Sequence, residues 1–272
     1  MSELDEYLEF AKDLADKAGK IMNHYYGLEE KGIETKDDQT PVTLADKEIN
    51  SLVISKVKKQ FPLHGVLGEE ESFNLGSENL WVVDPLDGTM NFAKSIPLFA
   101  FSIALVEKSE LRVGLVYNPI AGRILYASAG NGAYENGQKL QLSNVLPERI
   151  KLDAWLAGGI KNSIWADPQL TAEARRLIDS DNKVVDQKDW PVAYALALVG
   201  SGDFDATLST IKTPWDVAAG CLIAKEAGAK VTDLYGEEVS DWTKEANGIL
   251  VAVPRIHSYL LKLLAPILGD KK

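Results

Sequence analysis

The segment Leu80-Trp-Val-Val-Asp84-Pro-Leu-Asp87-Gly-Thr89 constrains this chain more than any other. An apolar strand ends at Val83 and two carboxylates follow at once. Pro85 fixes φ and removes a donor, Gly88 permits a sharp turn, and Asp84 and Asp87 can therefore converge on one point. Two hard carboxylates with the Leu86 carbonyl between them are suitable ligands for Mg2+, and the amides of Gly88 and Thr89 would face an anion. The same letters also describe a solvated loop closed by an Asx-turn, and on this segment alone both readings stand.

Two further acidic clusters have the same ambiguity. Thr213-Pro214-Trp215-Asp216 reads as an N-cap, a proline in the first helical turn and an acid reaching back, so capping alone would account for Asp216. Gly68-Glu69-Glu70-Glu71-Ser72 reads equally as a charged loop between strands.

Composition removes several function classes. The formal charge is −11, so no basic excess exists to displace counterions from a nucleic acid or to bind an anionic membrane. A single cysteine, Cys221, and three histidines, His24, His64 and His257, exclude a disulfide scaffold and a Cys/His zinc site. The acidic start, Met1-Ser-Glu-Leu-Asp-Glu, does not read as a signal peptide, and no uncharged apolar run is long enough to span a bilayer. A cytoplasmic protein is expected.

Apolar spacings of three and four predict a helix from Leu4 to Tyr26 and another from about Leu44 to Lys59, with Lys31 to Thr40 an exposed loop between them. Short apolar or alternating runs at Val66-Leu67, Leu80–Val83, Ala100–Val106, Arg112–Tyr117 and Arg123–Ala127 predict strands of an antiparallel sheet, and Asn136-Gly137 a hairpin turn. From about Ile150 strands and helices alternate, ending in a helix from His257 to Leu268. The architecture thus changes near residue 145, giving an N-terminal half, 1–145, with most candidate ligands, and a C-terminal α/β half, 146–272.

Taken together and in this order, Glu69-Glu70, Asp84-Pro-Leu-Asp-Gly-Thr89 and Trp215-Asp216-Val-Ala-Ala-Gly220 resemble the inositol monophosphatase family of Mg2+-dependent, lithium-sensitive phosphatases. Pro41-Val-Thr-Leu-Ala-Asp46 and Glu226-Ala-Gly-Ala extend the resemblance over most of the chain. It implies a five-layer αβαβα sandwich of the inositol monophosphatase/fructose-1,6-bisphosphatase type, in the α/β (α+β) class, and a homodimer. It also implies two to three Mg2+ ions: Glu69, Asp84 and the Leu86 carbonyl at the first, Asp84, Asp87 and Asp216 at the second, and Glu69 with water at a weaker third. Thr89, paired with Asp46, would activate the attacking water, while Gly88 and Thr89 would cradle the phosphate of a small monoester such as an inositol or other polyol phosphate. Nucleotide 3′-phosphate, fructose bisphosphate and histidinol phosphate are the alternative substrates. A non-catalytic phospho-ligand module would be expected to have lost one of Glu69, Asp84, Asp87, Thr89 or Asp216, and all are present.

The pocket departs from the pattern. Ser209 stands where inositol-type members have a glutamate that grips substrate hydroxyls, and Asp189-Trp190-Pro191-Val192 replaces a run of small residues. Ser209 and Asp216 are the candidate substrate contacts on the leaving-group side. Trp155, Trp165, Trp190 and Trp242 read as buried structural residues, Cys221 as a buried small hydrophobe, Gly130-Asn131-Gly132 as a hairpin approach, and His24 and His257 as partly exposed on helices.

Overall fold

The computed structural model describes residues 2–29, 31–36, 40–156, 167–187, 190–211 and 213–268. Met1, Asp37, Asp38, Trp165 and Asp189 lie outside the described residues. Helix α1 (Glu3–Tyr26) opens with a reciprocal cap, Asp5 N donating to Ser2 Oγ at 3.2 Å and Ser2 N to Asp5 Oδ2 at 2.8 Å. Its buried residues Tyr7, Phe10, Ala11, Leu14, Ala18 and Met22 recur at helical spacing, which makes one face of α1 a lid on the sheet below. Before α2 (Leu44–Gln60), two short strands, β1 (Glu34–Thr35) and β2 (Pro41–Val42), pair antiparallel. The loop expected over 31–40 therefore carries a ladder too short to leave a periodic signal.

Strands β3 (Gly65–Gly68), β4 (Asn79–Asp87), β5 (Ala100–Glu107), β6 (Glu110–Asn118), β7 (Arg123–Ser128), β8 (Gly132–Glu135) and β9 (Gln138–Lys139) form a seven-stranded sheet in chain order. All neighbours are antiparallel except β3 and β4. The period-two pattern assigns the faces: Trp81, Val83, Phe101, Ile103 and Leu105 meet α1 and α2, while Val82, Ala104 and Val106 enter the central layer. That layer is α5 (Val192–Ser201) and α6 (Pro214–Ala227), both apolar nearly all round, as helices buried between two sheets must be.

The second sheet has five strands, β10 (Ile150–Trp155), β11 (Val184–Asp186), β12 (Ala206–Ser209), β13 (Lys230–Thr232) and β14 (Ile249–Ala252), ordered β11-β10-β12-β14-β13. Ile249 and Val251 face α5 and α6, whereas Leu250 and Ala252 face the outer helices α4 (Pro168–Ser180) and α7 (Pro254–Leu268). The result is the αβαβα order. The turn at Gly130-Asn131-Gly132 joins β7 to β8, its glycine amides held by the two carboxylate oxygens of Glu226 at 2.9 Å each. His257 is fully buried, with Nε2 2.8 Å from Thr232 Oγ1, which corrects the expectation of a partly exposed ring; it lies on the buried stripe of α7 with Leu260 and Leu264, three and seven residues on.

Two close approaches set the geometry of the central layer. A Cβ on Gly220 of α6 would lie 2.5 Å from Leu196 Cβ and 2.7 Å from Ala193 O on α5, so the two helices touch backbone to backbone there. Helix propensity favours alanine over glycine by about 1 kcal/mol, but overpacking a close core contact costs about 1–3 kcal/mol. The steric effect wins. Gly220→Ala is expected to lower stability by about 1–2 kcal/mol in urea unfolding; an unchanged or raised midpoint would show that the helices have room to part.

Candidate metal centre and cleft

Strand β4 does not stop at Val83 but runs through Asp84 to Asp87, with an irregularity between them: Asp84 pairs with Ser102 and Asp87 with Ala100. This bulge turns both carboxylates to one side, and Leu86 N donates to Asp84 Oδ1 at 2.9 Å. Gly88 follows at φ +91°, and a Cβ there would meet Pro191 Cγ at 2.7 Å, so only glycine fits. A short helix, α3 (Thr89–Ala93), begins directly after it.

Asp216 reaches the same point from the first turn of α6. Among the described residues, carboxylate oxygens of Asp84, Asp87 and Asp216 lie within 4.8 Å of one another. Thr213 makes no side-chain capping bond; its hydroxyl donates to the Asp216 carboxylate instead. Asp216 thus reaches back to the N-cap residue while also facing Asp84 and Asp87. Glu69 follows β3 and is drawn beside β4 by its amide, which donates to Val83 O at 3.1 Å. Its carboxylate is taken by Lys36 Nζ at 2.8 Å, and Lys36 also pairs with Glu70.

Burial, then mutual repulsion, holds the Asp84 and Asp216 carboxyls well above the ordinary carboxylate range. Asp87 is pushed up to about 7, first by burial, although the amides of Val192, Ala193 and Tyr194 at the start of α5 pull the other way. Tyr194 N donates to Asp87 Oδ2 at 2.9 Å. Three oxygen ligands so placed fit a hard divalent cation, because such an ion meets the charge that burial otherwise forces into the protonated form.

Asp46 stands behind this cluster at the start of α2, fully buried, its Oδ2 accepting from Thr43 N at 2.8 Å and from the Thr43 hydroxyl. Burial pushes it up to about 7 against those bonds. The Thr89 hydroxyl lies 3.3 Å from Asp46 Oδ1 and 3.0 Å from Leu86 O, between Asp46 and the end of β4.

These residues open into a cleft of about 360 Å³ whose lining includes Glu69, Asp84, Asp87, Gly88, Thr89 and Asp216. A wider groove of about 520 Å³ runs along α2 past Ser51, Ser55 and Lys58, but it holds none of the clustered aspartates. Ser209 is not brought to the cleft: it is fully buried on β12, and its Oγ accepts from Ile211 N at 3.1 Å. Ile211, two residues on, lines the wall in its place. Trp155 and Trp190 also line it and are only half-buried, contrary to the structural reading, whereas Trp242 and Cys221 are buried as expected.

Asp87 in the metal-free protein binds a proton in the folded state more tightly than in the unfolded chain. Its ionisation therefore destabilises the fold as pH rises from about 4 through about 7. A cation binds the ionised form. The rise in Tm caused by Mg2+ is accordingly expected to grow between pH 6 and pH 8, and Asp87→Asn to raise the metal-free Tm at pH 8 while abolishing most of that rise. A Mg2+ effect of equal size in the variant would detach Asp87 from the site.

Comparison with known proteins agrees with this geometry. The profile of the Inositol monophosphatase family matches residues 3–268. A fructose-1,6-bisphosphatase/inositol-1-monophosphatase of Thermotoga maritima is 28% identical over 275 residues, which cover 97% of each chain. A histidinol-phosphatase of Chlorobaculum parvum is 32% identical over 241 residues, 85% of this chain and 87% of that one. Among solved structures, an IMPase of Thermotoga maritima superposes with a TM-score of 0.83 at 28% identity, covering 97% of this chain and 98% of its own.

Proposed function

The chain belongs to the inositol monophosphatase family and is a phosphoric monoester hydrolase, and we propose that it uses Mg2+ to cleave small phosphate monoesters in the cleft of Asp84, Asp87 and Asp216. The convergence of those three carboxylates carries the reading. Glu69, Asp84 and the Leu86 carbonyl would hold one ion and Asp84, Asp87 and Asp216 a second, with Glu69 contributing to a weaker third; Glu69 would first release Lys36. Bound there, Mg2+ would neutralise phosphoryl charge and lower the pKa of nearby water.

The chain's own groups would do the rest. Thr89 Oγ1 would position the attacking water, passing a proton toward Asp46, whose carboxyl titrates near neutrality and so suits a general base. The amides of Gly88 and Thr89, at the free end of α3, would hold the phosphate. In this reading halves 1–145 and 146–272 share the site, the first supplying Glu69, Asp84 and Asp87 and the second Asp216. Because Ser209 is sealed from the cleft, inositol phosphate would be one accepted polyol phosphate among several monoesters. Lithium sensitivity, a homodimer and a cytoplasmic setting belong to the same reading through the family; no helix among the described residues is long and apolar enough to cross a membrane.

Phosphate release from a panel of monoesters tests the reading. Activity is expected to vanish on chelation and return with Mg2+ but not with Ca2+, whose looser shell does not impose one geometry. Persistence in excess chelator would refute the metal mechanism. Asp216→Asn is expected to lower turnover by more than about 100-fold, since even indirect partners of metal ligands matter by 10- to 100-fold, and to leave the metal-free fold at least as stable. Near-normal turnover would return Asp216 to a structural role.

A further inference from the structure

Resting on the phosphatase reading above, we propose that the leaving-group side of the cleft selects phosphate monoesters whose alcohol carries an aromatic ring, and that Trp155 and Trp190 make that selection. Away from the carboxylates and Thr89, the wall includes Trp155, Trp190, Pro191, Val192, Ile211 and Met90, with Thr40, Pro41 and Asn91 beside them. Both tryptophans pack on the central core, are half-buried and line the cleft.

The Trp190 ring is held by aromatic neighbours, and the Trp155 backbone by β12 and Thr210. Trp190 stands edge-on to Phe204, ring centres 5.1 Å apart at 89°, and 6.1 Å from Tyr194. Trp155 ends β10 opposite Ser209, and its carbonyl accepts from Thr210 N at 2.9 Å and Thr210 Oγ1 at 3.3 Å. A ring entering this space gains stacking and apolar burial against a rigid partner at little ordering cost.

Polyol hydroxyls meet the opposite situation. Ser209 is turned away, and the Asn91 amide already donates to Leu98 O at 3.0 Å. Hydroxyls placed against the indole faces and aliphatic carbon of this wall lose water without a hydrogen bond from those surfaces, so a polyol gains less there than a ring does.

The test compares 2-phenylethyl phosphate with glycerol 1-phosphate. Both are esters of primary alcohols of similar leaving ability, so their difference in kcat/KM reports the cleft wall and not the bond. The ring substrate is expected to be preferred by about 10-fold or more, chiefly through KM, the scale of one base-on-aromatic contact. Trp155→Ala and Trp190→Ala should each shrink that ratio toward unity, and Trp190→Phe should keep most of it; a ratio measured on one preparation is insensitive to the fraction folded. Independently, 2-phenylethylphosphonate with Mg2+ should give a saturable change in tryptophan fluorescence that glycerol phosphate at equal concentration does not. Hydrolysis of both esters with no preference, or a preference for glycerol phosphate, overturns this inference and leaves the phosphatase reading standing. Hydrolysis of neither, with no phosphate release across the wider panel of monoesters, overturns the reading beneath it, and absence of saturable phosphonate binding overturns the inference in either case.

Discussion

Three carboxylates with oxygens within 4.8 Å of one another cannot all ionise in a buried site unless a cation joins them, and the rest of the structure is arranged around that fact. Asp84 and Asp87 come from a strand that becomes irregular where it leaves the sheet. Asp216 comes from a helix in the central layer, and the backbone contact of α6 with α5 at Gly220 fixes where that helix begins relative to Asp87's partners on α5. Burial raises the carboxyls of Asp84, Asp87 and Asp216 toward the protonated form, and the Lys36 ammonium pairs with Glu69.

The magnitudes decide which force governs the site. A helix N-terminus stabilises an anion by roughly 0.3–1 kcal/mol, reaching about 2 kcal/mol in partly buried geometries. Asp87 has such an N-terminus, with three amides of α5 directed at it, and is still pushed up to about 7. Desolvation and neighbouring charge thus outweigh the helix, as they outweigh the two Thr43 bonds to Asp46. A cation bound at such a site would meet this charge and stabilise the folded state that binds it.

Local chemistry was legible in the sequence because it lies in short spacings. Asp84-Pro-Leu-Asp87-Gly needs only the proline and glycine to suggest converging carboxylates, and the capping pattern correctly started α6 at Pro214 even though Thr213 serves Asp216 and not the helix amides. What could not be read was direction across elements. Ser209 and Ile211 differ by two positions at the end of β12, yet one is sealed by the Ile211 amide and the other lines the cleft, because the chain leaves strand geometry between them. Trp190 and Trp155 carried no sign that only part of each ring is covered, since that depends on Phe204, on β12 and on the space beside Asp216. His257 belongs to the buried stripe of α7 with Leu260 and Leu264, and its ring is covered because Thr232 on β13 stands opposite it.

Whether the acidic cluster holds a divalent cation is tested most directly by a crystal structure grown with Mn2+, which shares oxygen ligands with Mg2+ and scatters anomalously. Anomalous peaks should lie among the carboxylate oxygens of Asp84, Asp87 and Asp216 and beside Glu69, with Lys36 Nζ withdrawn from the Glu69 carboxylate. A map with no peak among these residues, and Lys36 still paired to Glu69 at saturating Mn2+, would contradict the account.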